Sequence, residues 1–251
     1  MRTLKTFLLV IATLLAALPA WAQSTRVLVP IVATGASGAF DSLWTSEVVA
    51  FNSSADPVSI LYPHSCVGTC GVPGTVLHAF EAGDLAILTG SAVPAAFIYV
   101  PNESVDAIEF GLRVRDVSRQ TDSWGTEVPV VRESRAFQRP FDLLNVPLPS
   151  RFRQTLRVYD FEDKSGSGVS VQFYDMVTGR LLKDFQLAML PRSNDTFTPA
   201  YVQLDQFGQA AELAGIDRIR VRISPTNATQ RLWAMVSVTN NVTQELTMIT
   251  P

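Results

Sequence analysis

Both cysteines and both histidines of the chain fall in one stretch: His64, Cys66, Cys70 and, further on, His78. Side chains of these types can close a tetrahedral zinc site. Their spacing, however, lacks the tight two-residue cysteine turn of zinc knuckles. A disulfide between Cys66 and Cys70, closing a small loop around Gly68, is the expectation in an oxidising compartment. No metal and no other cofactor is expected. His64 and His78 are then ordinary surface or strand residues.

Carboxylates cluster at Asp160, Glu162 and Asp163, with Asp175 after the next strand-like run. Paired carboxylates can act as acid and base in glycoside hydrolysis, and oxygen-rich loops can hold calcium. The calcium-loop pattern D-x-[DN]-x-[DN]-G is absent, and a charged hairpin tip is common to soluble strand pairs. The chain has no G-x-S-x-G elbow, no basis for a Ser-His-Asp triad and no glycine-rich phosphate loop. No catalytic residue is therefore assigned. Among the aromatics, Trp124 lies between Ser123 and Gly125 in a turn-like stretch, where it could stack on a ligand. Trp44 and Trp233 lie in strand-like runs and are expected in a core. Five sequons, at Asn52, Asn102, Asn194, Asn227 and Asn241, are read as unmodified.

The address follows from the first residues. Arg2 and Lys5 precede an apolar run from Phe7 to Ala17, and Ala20-Trp21-Ala22 then offers small residues at −3 and −1. These are the parts of a secretory signal peptide over residues 1–22, with the mature chain beginning at Gln23. Its apolar run is shorter than a bilayer-spanning helix requires, and no later segment qualifies, so no membrane span is expected after cleavage. Loss of the two cations takes the formal charge from −3 to −5. An acidic chain without a basic block is a poor nucleic-acid binder. The expected location is periplasmic or extracellular.

The elements that must position these residues are strands. In Arg218-Ile219-Arg220-Val221-Arg222-Ile223, arginines and aliphatics alternate, the pattern of a strand with one buried face. Similar runs occupy 26–33, 48–52, 58–62, 84–89, 107–117, 169–174, 217–224 and 232–239. Turn clusters at 34–38, 53–57, 71–74, 164–168 and 178–179 separate them. The one helical candidate is 204–214, stopped by Gly215. Residues 44–52 align without gaps on 152–160: an aromatic matches at Trp44/Phe152 and Phe51/Tyr159, and an aliphatic at Val48/Leu156. Each copy is followed by a second strand (58–62 or 169–173) and closes on a strand running into serine (112–118 or 232–237). A repeat of ~110 residues points to duplicated domains rather than a solenoid.

Val29-Pro30-Ile31-Val32, the 35–38 turn and the 44–52 strand resemble the opening of uncharacterised secreted bacterial proteins with two tandem immunoglobulin-like β-sandwich domains. Ser118-Arg119 with Gly125-Thr126-Glu127-Val128-Pro129 is similar to the end of that family's first domain. Phe152-Arg153 is similar to the start of its second, and residues 236–243 to its closing strand and turn. Residues 63–74, which carry the cysteine pair, depart from the simple hairpin of that family. The resemblance implies fold and export, and no activity. The expectation is thus an all-β protein of two tandem antiparallel immunoglobulin-like sandwiches, 23–135 and 136–251, joined near 132–149 and carrying at most one short helix. Its role is expected to be non-enzymatic: structural, adhesive or partner-binding, toward an envelope or extracellular protein or glycan. Alternatives are a carbohydrate-binding module using loop aromatics such as Trp124, and a hydrolase using the acidic cluster.

Overall fold

A computed structural model describes residues 23–63, 74–87, 95–119, 124–162, 167–190 and 197–251. Among these residues the protein is all-β, with antiparallel pairing throughout, and its only helices are three-residue 3-10 turns. The strands of the N-terminal half are β1 (Ser24–Val29), β2 (Thr34–Ser37), β3 (Leu43–Asn52), β4 (Val58–Ile60), β5 (Thr75–Leu77), β6 (Ala82–Asp84), β7 (Ala96–Pro101), β8 (Ile108–Asp116), β9 (Thr126–Glu127) and β10 (Val131–Arg132). Those of the C-terminal half are β11 (Phe141–Pro147), β12 (Phe152–Asp160), β13 (Gly168–Asp175), β14 (Leu181–Ala188), β15 (Ala200–Asp205), β16 (Arg218–Pro225), β17 (Leu232–Asn240) and β18 (Leu246–Ile249).

Alternation produces these elements where one face meets solvent. In β16 the residues Ile219, Val221 and Ile223 are fully buried while the arginines between them point outward. Strands buried on both faces read differently: β7 is an unbroken apolar run, and eight of the nine residues of β17 are buried.

The pairing repeats along the chain. In the first half β3 lies between β8 and β6, with β9 beyond β8. In the second half β12 lies between β17 and β15, with β18 beyond β17. The companion sheets are β1-β7, extended to β4 through the Leu61–Tyr99 bridge and then to β5, and β11-β16-β13-β14. Register follows the aligned segments: Asn52 faces Ile108 as Asp160 faces Leu232, and Trp44 faces Asp116 as Phe152 faces Asn240. Asp116 and Asn240 then do the same work, each accepting a turn N–H, from Ser118 (3.0 Å) and from Val242 (2.9 Å). The structural match at the closing strand is therefore Asp116 with Asn240, not Ser118 with Ser237. In constant-type immunoglobulin domains the first strand shares a sheet with the second. Here β1 and β11 each lie in the sheet opposite β3 and β12.

Residues 204–214 do not form a helix. Strand β15 claims the segment as far as Asp205 by pairing it with Thr155, and two 3-10 turns, Phe207–Gln209 and Ala211–Leu213, follow. Gln206 has φ 49°, and Ala210 is extended between the turns, so no helical hydrogen-bond ladder can start. Of the predicted strand at 84–89, Asp84 ends β6 (Ala82–Asp84), residues 85–87 lie outside any strand, and 88–89 fall outside the described residues.

One core lies wholly within the C-terminal half, between β12-β17 and β11-β16-β13. The other begins in the N-terminal half and crosses the junction to take in Tyr159, Phe161, Phe197, Trp233 and Met235. The sheet β15-β12-β17-β18 is thus covered on both faces near its Tyr159 end. Phe97 meets Phe161 at 5.2 Å and Tyr99 meets Phe197 at 5.6 Å between ring centroids. The Tyr159 hydroxyl donates to the Pro30 carbonyl. Full burial pushes that phenol well above its ordinary pKa.

Candidate functional site: a cleft between the two halves

The side chains of β12 alternate between two faces. Gln154, Leu156, Val158 and Asp160 turn toward the C-terminal core, and Arg153, Thr155, Arg157 and Tyr159 share the other face. Register places Thr239, Ser237, Met235 and Trp233 of β17 opposite those four in turn, with Asp205, Gln203 and Tyr201 of β15 on the other side. This one face therefore changes character along its length. It is apolar around Tyr159, Trp233 and Met235, where β1 and β7 cover it, and polar from Arg157 to Arg153 on β12 and at Ser237 and Thr239 on β17. Over the polar part the chain leaves strand β1 and residues 31–33 run beside a cleft of about 510 Å³. Residues 31–33 and Trp44 form its wall, and Thr155, Arg157, Asp205 and Ser237 contribute to its floor.

The mouth is shaped by residues 38–42. Gly38 is required because a Cβ there would lie 2.6 Å from the Trp44 indole nitrogen, which itself donates to Ser42 Oγ at 2.9 Å. Phe40 and Asp41 both adopt left-handed backbone conformations, with φ 57° and 59°. For a bulky residue such as Phe40 that conformation is strained. Two contacts hold it: Arg119 donates to the Phe40 carbonyl, and the Arg153 guanidinium lies 5.4 Å from the centre of the ring.

The two arginines of the cleft are positioned by neutral acceptors. Arg153 donates to Asn241 Oδ1 (3.0 Å) and Gln244 Oε1 (2.6 Å), and Arg157 donates through Nε to Gln203 Oε1 (2.8 Å). Burial and the neighbouring Arg119 charge pull the Arg153 guanidinium below its ordinary pKa, and Asp116 offsets them only in part. Asp205 is held by Thr155 Oγ1 and Gln203 Nε2, each at 2.8 Å.

At the covered end the arginines are neutralised instead. Arg26 donates to Glu133 at 2.8 Å and lies 3.9 Å from Glu162, and Arg231 bonds both glutamates. Arg26 also donates to the Phe161 carbonyl. These four side chains tie β1, the turn after β10, the end of β12 and the start of β17 into one ionic junction.

The residues singled out by sequence fall in several places. Trp124 is exposed at 77 %, with the Arg113 guanidinium 4.8 Å from its ring. Trp233 is buried against Tyr159, and Trp44 is half-buried at the cleft wall. Asp160 is fully buried: Oδ1 accepts the Glu162 N–H (2.8 Å), and Oδ2 accepts Ser167 Oγ and Gln230 Nε2, both at 3.3 Å. Glu162 belongs to the ionic junction, so these two carboxylates do not converge on an open space. Asp175 caps its own turn through Val177 and Thr178. Its carboxyl is held below the ordinary range by those hydrogen bonds. Among the sequon residues, Asn52 is fully buried, its amide donating to the carbonyls of Asp56, Leu77 and His78. His78 is exposed; Cys66, Cys70, His64, Asp163, Asn194 and the signal segment lie outside the described residues. Among the described residues no three His, Cys, Asp or Glu side chains gather in a metal-holding group.

Sequence reasoning missed Arg153, Thr155 and Arg157. A signal was available: on one face β12 runs from Arg153, Thr155 and Arg157 to Tyr159, and β17 from Thr239 and Ser237 through Met235 to Trp233. Compared with known proteins, the chain matches no family model, no curated protein and no solved structure.

Proposed function

We propose that this chain is an exported, non-enzymatic binding protein whose two β units, 23–135 and 136–251, hold a polar partner in the cleft between them. The observation that carries the reading is the switch on one face of β12 and β17, from apolar where covered to polar where it opens into the 510 Å³ space. That volume lies in the range of small-ligand sites, and clefts at domain junctions are a preferred location for them. The ionic junction and the Tyr159–Pro30 bond fix the walls in advance, which lowers the ordering cost of binding. Export is supported by the basic start, apolar run and Ala-x-Ala site of residues 1–22.

The test is a thermal-shift screen of polar small molecules and glycans against the protein and against Thr155→Trp, which fills the cleft floor. A ligand that stabilises the parent and not the filled variant is expected, and a screen in which every hit stabilises both equally refutes the cleft. Terminal sequencing of the exported protein should begin at Gln23.

A second reading places a glycan on Trp124. Its favouring observation is the 77 % exposure of an indole already backed by Arg113. Saturable glycan-array binding abolished by Trp124→Ala separates it from the cleft.

A further inference from the structure

The charge arrangement of the cleft narrows the class of partner, and this step rests on the cleft being the binding site. Arg153 and Arg157 have no carboxylate within salt-bridge distance among the described residues, whereas Arg26 and Arg231 on the covered side are both paired to Glu133. The amides of Asn241, Gln244 and Gln203 orient the two guanidinium groups without cancelling their charge. Among the described residues Arg157 is held through Nε alone, leaving both terminal nitrogens as donors. Among the described residues Asp205 is the one carboxylate that lines the cleft beside Arg153 and Arg157; Asp116 also acts on Arg153, but Arg119 stands beside it with the opposite charge, so the surroundings stay net positive on a chain whose formal charge is −3. Preoriented guanidinium groups without a bonded carboxylate, in a partly enclosed site, select oxyanions such as carboxylates.

Geometry adds the rest. Arg153 and Arg157 are four residues apart on one strand, so their Cα atoms are separated by ~13 Å. A single sugar ring cannot bridge that span, and a chain with repeated carboxylates can. Between and beside the arginines lie the hydroxyls of Thr155, Ser237 and Thr239, with Trp44 on the wall. A peptide adding by main-chain pairing is disfavoured, because β12 is an interior strand bonded to β15 and β17 on its two sides. We propose that the cleft binds an acidic oligosaccharide lengthwise, with carboxylates on Arg153 and Arg157 and ring hydroxyls over Thr155.

Isothermal titration of the protein with oligogalacturonates of two to six units, with a neutral oligosaccharide of matched length and with sodium sulfate, tests this. Binding of the longer oligogalacturonates is expected, weakened about 10-fold by R157Q and weakened again when NaCl is raised. The urea midpoint of R157Q should equal the parent's, since Arg157 is half-exposed and its change leaves the core untouched. Equal binding of neutral and acidic chains, unaffected by R157Q but lost in Thr155→Trp, overturns the acidic class and leaves the cleft standing. Acidic-chain binding that survives Thr155→Trp places the site elsewhere and overturns both. Sulfate binding as tight as the oligosaccharide, or no binding by any member of the series, overturns the saccharide assignment.

Discussion

Replacing Glu133 by glutamine should loosen the junction between the two halves by a measurable and pH-dependent amount. Glu133 accepts Arg26 Nε at 2.8 Å and also bonds Arg231, and its side chain is 21 % exposed. Glutamine keeps one acceptor oxygen and turns an amide donor toward a guanidinium in place of the other. One charge-assisted hydrogen bond is lost, worth roughly 1.5–3 kcal/mol. Partial solvent screening and the remaining Glu162–Arg231 pair bring the expected loss to the lower part of that range, about 1.5–2 kcal/mol. With a urea slope of about 2.5 kcal/mol/M, the unfolding midpoint should fall by about 0.7 M. Tryptophan fluorescence is a suitable probe because Trp233 is buried at the junction. The pH dependence is set by the direction of the Glu133 shift. Burial alone would raise its carboxyl, but hydrogen bonds from Arg26 and Arg231, with their charges, hold it below the ordinary value. A depressed folded pKa gives stability that is complete above the unfolded value, about 4.3, and is lost as pH falls through the folded value. The gap between parent and Glu133→Gln should therefore be full at neutral pH and close as pH falls through the lowered folded value. Coincident midpoints at pH 7, or a gap that persists undiminished in acid, would refute the reasoning.

Tyr159→Phe should cost about 1–2 kcal/mol in urea unfolding, because it strands the buried Pro30 carbonyl while leaving the ring contacts in place. Asn52→Asp should cost more, about 2–4 kcal/mol near neutral pH, since a carboxylate would face the carbonyls of Asp56, Leu77 and His78. The penalty should shrink as acid protonates the new group, and a pH-independent deficit would contradict the account. Asp160→Asn at the equivalent position removes an acceptor-only carboxylate and should be milder if the new amide accepts from Ser167 and Gln230. Trp124→Ala should leave the urea midpoint within about 0.2 M, because the exposed ring buries little apolar area.

The aligned segments 44–52 and 152–160 were legible as a pair because each keeps an alternating pattern with aromatics at matching positions. Other strands were less so: β11, β14 and β15 carry weak alternation, and β7 has none, because both its faces are covered. The helix read at 204–214 failed for a related reason. Its helical spacing was a local preference, and pairing of Asp205 with Thr155, some fifty residues away, overrode it.

The amino-acid sequence by itself determined that the chain is all-β, since period-2 patterning and frequent turn residues are local properties. It also determined which side chains of β12 share a face: Arg153, Thr155, Arg157 and Tyr159 must lie together on any strand. Only the tertiary structure decided what that face meets. Strands β1 and β7 close over Tyr159 and Trp233, whereas Arg153, Thr155 and Arg157 line the cleft that residues 31–33 wall. Alternation sorts residues between two faces, but the cover of a face comes from strands about sixty positions away or farther, and no local pattern records where that cover ends.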